Sequence, residues 1–300
     1  MITDALRKIF LLTALCCLGS VARAEWHPTP DSAPGEMTLV PMENAPFPHE
    51  SRAEGHSYGE TFFPADKHYS DNSVLLYLSA NYRPGPETHL LFYFHGWGNS
   101  IEKAANEFRL LEQVSNSGKN VVFVFPEGPK DASDSGLGKL EEEGGIARLA
   151  EEVLAKLKAD SKAPDDSKLG QVILSGHSGA FRGIARSLRH GGLDDRVSAV
   201  FLLDASYSHF DDFTNWIQAH PDHQLFSLFT DHLAPENAQM MARLSKADFP
   251  FAVREDTDIT SDWLAGQNAV FIVTRERDHN QTVELLETFL IASRLPGEHE

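Results

Sequence analysis

The sequence predicts an α/β protein with a mostly parallel central sheet covered by helices on both faces. Uninterrupted apolar runs at residues 89–94, 120–126 and 197–203 have the composition of strands buried on both sides. Most are followed by apolar residues at helical spacing, so strand and helix alternate along the chain. The residues with chemical potential, His95, Ser178, Asp204, Asp231 and His279, all follow the carboxyl ends of these runs. Open α/β sheets bind their ligands at that edge.

The first 24 residues stand apart. Arg7 and Lys8 precede an apolar run over 9–18, and Ala22-Arg-Ala24 supplies small residues for cleavage, which is the pattern of a secretory signal peptide. The run is too short for a transmembrane helix, and no later segment approaches the roughly 20 apolar residues that a span requires. A secreted or periplasmic protein without stable membrane insertion is expected. Both cysteines, Cys16 and Cys17, lie in this segment, so the mature chain would carry no disulfide. The whole chain has a formal charge of −18, and the first 24 residues hold three basic side chains against one acidic, so the remainder is more acidic still. That balance disfavours nucleic acid and anionic membranes as partners. A small-molecule or acyl-group substrate is the partner expected, and composition says nothing about oligomeric state.

Residues 25–55 are proline-rich with little periodicity and read as an extended leader lying over a domain that spans 56–300. Strands are expected at 56–64 and 73–79, then at 89–94, ending in His95-Gly-Trp97-Gly98. Ser100 can cap the next helix, where Ala104, Phe108, Leu111 and Val114 share a face. The strand at 120–126 leads through a long loop, 127–139, to a helix over 145–158 with Ile146, Leu149, Val153 and Leu157 on one stripe. Further strands are expected near 171–176 and at 197–203, 224–229 and 269–274, with closing helix 282–294. The loop 127–140 and the insertion 246–268 are expected to wall or cover a site.

The central motif is Gly176-His-Ser178-Gly-Ala180, placed between an apolar strand and a helix-compatible segment. Small flanking residues let strand and helix approach closely enough for a sharp turn to present one hydroxyl, that of Ser178. A serine hydroxyl needs a base to take its proton and a carboxylate to orient that base. The chain offers them in the order Ser178, an aspartate, His279.

This arrangement resembles the α/β-hydrolase superfamily over about residues 56–296, with Ala180 in place of the usual last glycine of the G-x-S-x-G elbow. The resemblance implies a secreted serine hydrolase that cleaves an ester or related acyl bond through an acyl-enzyme, without cofactor or metal. It implies Ser178 as nucleophile, His279 as base, and the backbone N–H groups of Gly179 and Trp97 as oxyanion donors. Two aspartates compete for the acid. Asp231 follows the strand where the family more commonly carries it, and Asp204 ends the strand nearest the nucleophile. The reading leans to Asp204. Trp97, Phe181, Tyr207 and Phe210 are expected to line an acyl pocket, with Arg182 a contact for an anionic substrate. His177 and His95 are expected to be structural. His209, Asp211, Asp212, His220 and His223 read as a solvated acidic loop rather than a metal site. A peptidase, an acyltransferase, or a binding protein that kept the fold without catalysis are the alternatives.

Overall fold

Leu90, Phe92 and Phe94 face one hydrophobic layer and Leu91 and Tyr93 face the other, so a single strand feeds two cores. This is the consequence of period-two side-chain alternation in a strand buried on both faces. The computed structural model describes residues 25–193 and 195–297. The expected signal peptide lies outside the described residues.

The strands are β1 (His27–Pro28), β2 (Gly35–Pro41), β3 (His56–Tyr58), β4 (Thr61–Phe63), β5 (Ser73–Ser79), β6 (Glu87–Phe94), β7 (Val122–Pro126), β8 (Lys168–His177), β9 (Val197–Leu203), β10 (Gln224–Phe229), β11 (Ala252–Glu255) and β12 (Ala269–Val273). Ten of them form one sheet in the order β1-β2-β5-β7-β6-β8-β9-β10-β12-β11. All pairs from β7 to β11 are parallel, and β5 runs antiparallel to both β7 and β2. One layer of helices, including Gly145–Ala159, Phe181–His190, Phe210–Ala219 and Ala234–Lys246, covers one face. Ile101–Glu107, Leu110–Asn116 and Leu286–Ala292 cover the other.

Local chemistry explains these boundaries. The Ser100 hydroxyl accepts from the Lys103 N–H at 3.3 Å and caps its helix as expected. That helix ends at Glu107, and a second begins after Arg109, which sits at φ 51°. The helix Gly145–Ala159 buries Ile146, Leu149, Val153 and Leu157, the stripe read from the sequence.

Two expectations are corrected. Gly35–Pro41, assigned to a leader lying over the domain, is a strand of the sheet, registered from Gly35 opposite Ser79 to Pro41 opposite Ser73. Met37, Leu39 and Val40 are buried there, and prolines confined to the strand's end and the flanking loops leave its ladder intact. The insertion 246–268 is an extension of the sheet edge: β11 pairs in parallel with β12, and the short helix Ser261–Ala265 buries Leu264. A four-residue strand between loops has too little apolar pattern to be read from sequence.

Candidate active site

Register brings the predicted residues together. Phe94 pairs with Gly176, and His177 pairs with Leu203, so His95-Gly96, Ser178 and Asp204 emerge side by side beyond three adjacent strands. Leu203 also pairs with Leu228, which brings Thr230 next to Asp204. His279 arrives from the loop after β12.

Ser178 has φ 55°, a left-handed conformation that a residue with a Cβ adopts only when its surroundings enforce it. The surroundings are visible in the glycines. A Cβ on Gly176 would stand 2.5 Å from the Ala180 Cβ, and one on Gly96 would stand 2.7 Å from the Ser178 Cβ. One on Gly179 would meet the Trp97 ring at 2.5 Å. Strand, elbow and the His95-Gly-Trp97 turn are therefore packed against one another with no room for a side chain at these positions.

The His279 Nδ1 lies 2.7 Å from Asp204 Oδ2. Asp204 is fully buried and also accepts from the Thr230 N–H at 2.9 Å and the Thr230 hydroxyl at 3.0 Å. Burial alone would raise the Asp204 carboxyl, but the hydrogen bonds from His279 and Thr230 outweigh it and hold the group below the usual carboxylate range. Asp204 itself has φ 49°. Asp231, the competing aspartate, is exposed in the single turn Asp231–Leu233, and the hydrogen bond from His279 goes to Asp204.

Ser178 and His279 border one cavity of about 230 Å³, together with Gly96, Trp97, Asn99, Lys103, Glu107, His177 and Asn280. A larger cavity of about 580 Å³ begins beyond Glu107 and Asn280; it is lined by Glu112, Glu284 and Glu287 among others and reaches none of Ser178, Asp204 or His279. The smaller cavity is the one bordered by Ser178 and His279, so volume alone does not single out the candidate site.

Of the aromatic residues expected around the site, Trp97 is half-exposed, and its indole N–H donates to the Ser135 hydroxyl at 2.8 Å. Ser135 belongs to the loop 127–140, which thus borders the elbow as expected. Tyr58, from the β3–β4 hairpin, packs edge-on against Trp97 with ring centres 4.7 Å apart. Phe181 and Tyr207 lie 5.6 Å apart. Phe210 instead packs on the core and beneath the Arg243 guanidinium, 5.3 Å away. Arg182 is paired with Glu141 at 2.8 Å, a helix-surface salt bridge that already occupies the cation.

His177 has a more specific place than a structural histidine required. Its Nε2 donates to the His279 carbonyl oxygen at 3.0 Å, and the rings lie 4.4 Å apart. Burial, with the neighbouring His279 adding to it, pushes the His177 imidazole down to about 3, so it is neutral and its Nδ1 is buried without a partner. His95 is also buried, with Nδ1 donating to the Gly96 carbonyl at 2.7 Å and Nε2 close to Glu127. It orders the glycine turn, as expected.

Sequence reasoning missed Thr230 and His232. The His232 Nδ1 lies 2.6 Å from the Thr230 hydroxyl, and its Nε2 lies 3.0 Å from the Tyr207 hydroxyl. The available signal was Thr230-Asp231-His232 itself, a polar triplet ending a buried strand. Among the described residues, Asp204, His232 and His279 bring potential metal-ligand atoms within 4.8 Å of one another. The hydrogen bonds above already account for that cluster. The acidic stretch weighed as a metal site is divided among separate partners: His209 with Asp212, Asp212 with Arg189, Asp211 with Arg243, and His220 stacked on His223.

The sheet order, the strained serine at the strand-to-helix turn and the histidine after the last strand define the class: the chain has the α/β-hydrolase fold. Among solved structures, it is similar to a mutant of the feruloyl esterase module from Clostridium thermocellum complexed with sinapinate. The TM-score is 0.54 at 13% identity, covering 92% of this chain and 96% of that one. A second structure, described as FAE, has a TM-score of 0.51 at 12% identity over 92% and 96%. No family model and no curated protein matches the sequence. No helix among the described residues is long and apolar enough to cross a membrane.

Proposed function

We propose that this protein is a serine hydrolase that cleaves carboxylic esters of small molecules and is exported by its N-terminal segment. Ser178 is the nucleophile, His279 the base and Asp204 the orienting acid. The observation that carries the reading is the 2.7 Å bond between His279 Nδ1 and Asp204 Oδ2. It fixes the tautomer, because Nδ1 donates to a carboxylate and leaves Nε2 bare to take a proton from Ser178, which borders the same cavity.

In this mechanism Ser178 Oγ attacks the ester carbonyl as His279 Nε2 removes its proton. The backbone N–H groups of Trp97 and Gly179 hold the oxyanion, and each donor of this kind contributes on the order of 3 kcal/mol. Charge that develops on His279 is balanced by Asp204, whose lowered carboxyl stays ionised. The alkoxide leaves with the proton from His279, and water activated by the same imidazole releases the acid. Esters are favoured over amides by the likeness in fold to a feruloyl esterase module. Rings around the elbow, notably exposed Trp97 against Tyr58 and half-buried Phe181 against Tyr207, suit a flat apolar acyl group.

A fluorophosphonate probe tests the assignment. The folded wild type should label at Ser178, and Ser178→Ala should not. A folded wild type that neither labels nor hydrolyses 1-naphthyl butyrate refutes it and returns the chain to the binding-protein reading.

A further inference from the structure

Hydrogen-bond direction can be followed outward from Asp204, because an ionised carboxylate only accepts. The Thr230 hydroxyl, 3.0 Å from Asp204 Oδ2, must therefore give its proton to Asp204. Having done so, its oxygen can only accept from His232 Nδ1, 2.6 Å away. In the neutral imidazole, Nδ1–H leaves Nε2 as a lone pair. The Tyr207 hydroxyl, 3.0 Å from that nitrogen, must then donate to it. Three groups in series thus point their protons toward Asp204, and the last of them is a tyrosine whose only proton is already committed.

Tyr207 is held where this matters. It is one-third exposed, stacks near Phe181 on the helix that follows the elbow, and sits three residues after Asp204. The neighbouring Ser206 is buried, and its hydroxyl accepts from Asn237 Nδ2 at 2.7 Å, while Asn237 Oδ1 accepts from Ser227 at 2.7 Å. The segment carrying Tyr207 is therefore pinned to β10 and to the helix Ala234–Lys246. His232, which holds the phenol, packs edge-on against His279 with ring centres 5.6 Å apart, so Tyr207 stands one residue from the base beside Ser178.

We propose that Tyr207 is a specificity residue that presents an oxygen acceptor beside Ser178 and selects substrates carrying a hydrogen-bond donor near the scissile ester, a hydroxyl above all. The proposal rests on the Ser178 nucleophile reading. A phenol usually adapts, donating or accepting as its partner requires. Here the Thr230–His232 relay removes that choice. A substrate hydroxyl can donate to Tyr207, whereas a methoxy group at the same place would put two acceptors face to face. Sites that read a hydroxyl through a buried or pre-set partner discriminate more strongly than apolar pockets do.

Two matched ester pairs test this at pH 8, where an imidazole is ordinarily neutral. They are 1-naphthyl 3-hydroxybutyrate with 1-naphthyl 3-methoxybutyrate, and 2-hydroxyethyl butyrate with 2-methoxyethyl butyrate, so that donor and acceptor are compared in the acyl and alcohol halves. The wild type should prefer the hydroxyl ester in at least one pair by about tenfold in kcat/KM, the scale of one hydrogen bond. In Tyr207→Phe that ratio should fall to near one. In His232→Ala the phenol proton is released, and the ratio should shift toward the methoxy ester. A wild-type ratio near one in both pairs, or a ratio unchanged in Tyr207→Phe, overturns the proposal. Hydrolysis that survives Ser178→Ala is a different result: it removes the nucleophile assignment and leaves the ratios without meaning.

Discussion

His279 Nδ1 and Asp204 Oδ2 stand 2.7 Å apart although 75 residues separate them, and the carboxylate at one end of that bond is fully buried. Neutralising this partner removes the acceptor that holds the His279 Nδ1 proton, and with it, on the proposed mechanism, the orientation of the base. Asp204→Asn is therefore expected to lower kcat by about 10⁴-fold with folding intact. Asp231→Asn, at an exposed turn, should stay within a few-fold of wild type. Steady-state kinetics with circular dichroism on both variants check this, and a larger loss in Asp231→Asn would reverse the assignment.

Thr230 supplies two hydrogen bonds to the Asp204 carboxylate, one from its backbone N–H and one from its hydroxyl. Thr230→Val keeps the backbone donor and the side-chain shape but removes the hydroxyl from a buried carboxylate. A drop in kcat of about tenfold is expected, corresponding to roughly 1–1.5 kcal/mol. Unchanged kcat would mean that the backbone N–H alone suffices to set Asp204.

Gly96 has no space for a methyl group, since its Cβ would lie 2.7 Å from the Ser178 Cβ and 3.1 Å from the His177 carbonyl oxygen. Gly96→Ala must push the elbow or the turn aside. A displacement on the order of 1 Å costs about 10²-fold in rate. Gly266→Ala is the control: its Cβ would meet only the Trp263 carbonyl at an ordinary 3.6 Å. Fluorophosphonate labelling rates should separate the two, slow in the first and unaltered in the second.

Acid should destabilise the fold through His177 before it reaches Asp204. The unfolded imidazole takes up a proton near pH 6.5, whereas the buried one resists until about 3. The unfolded state therefore binds more protons across that window, and stability is present in full above pH 6.5 and lost as pH falls. Asp204, whose folded carboxyl is lowered, contributes stability above the unfolded carboxylate range near 3.9 and loses it only below that. Urea unfolding between pH 6.5 and 4.5 reads His177 together with His89 and His223, whose imidazoles burial also lowers, and His177 by itself adds a slope approaching about 1.4 kcal/mol per pH unit. His177→Gln, which can still donate to the His279 carbonyl, should flatten that slope. A wild type and variant with parallel profiles would place the linkage elsewhere.

The parts legible in the amino-acid order were those whose information is local. Leu90 to Phe94 is a strand buried on both faces because five consecutive apolar residues leave no polar side, and it was found at those residues. The turn at Ser178 was readable because Gly176, Gly179 and Ala180 are small where strand meets helix, and the structure places Ser178 there at φ 55°. Strand β11 and strand β2 were not legible: one is four residues long, and the other lies in a proline-rich stretch whose ladder partner is β5, beyond an intervening hairpin.

Local pattern also narrowed the acid to two aspartates, each ending a strand, but could go no further. The choice between Asp204 and Asp231 depends on which strand lies beside β8 and how far its register carries the carboxylate, and both are properties of the assembled sheet. The same holds for Thr230, His232 and Tyr207, which belong to two loops that meet only because β9 and β10 are neighbours with Leu203 opposite Leu228. Composition and spacing define what each element is, since backbone and side-chain preferences act over a few residues. Which proton goes to which acceptor is decided by contacts across strands, where a shift of one residue would turn every side chain to the other face.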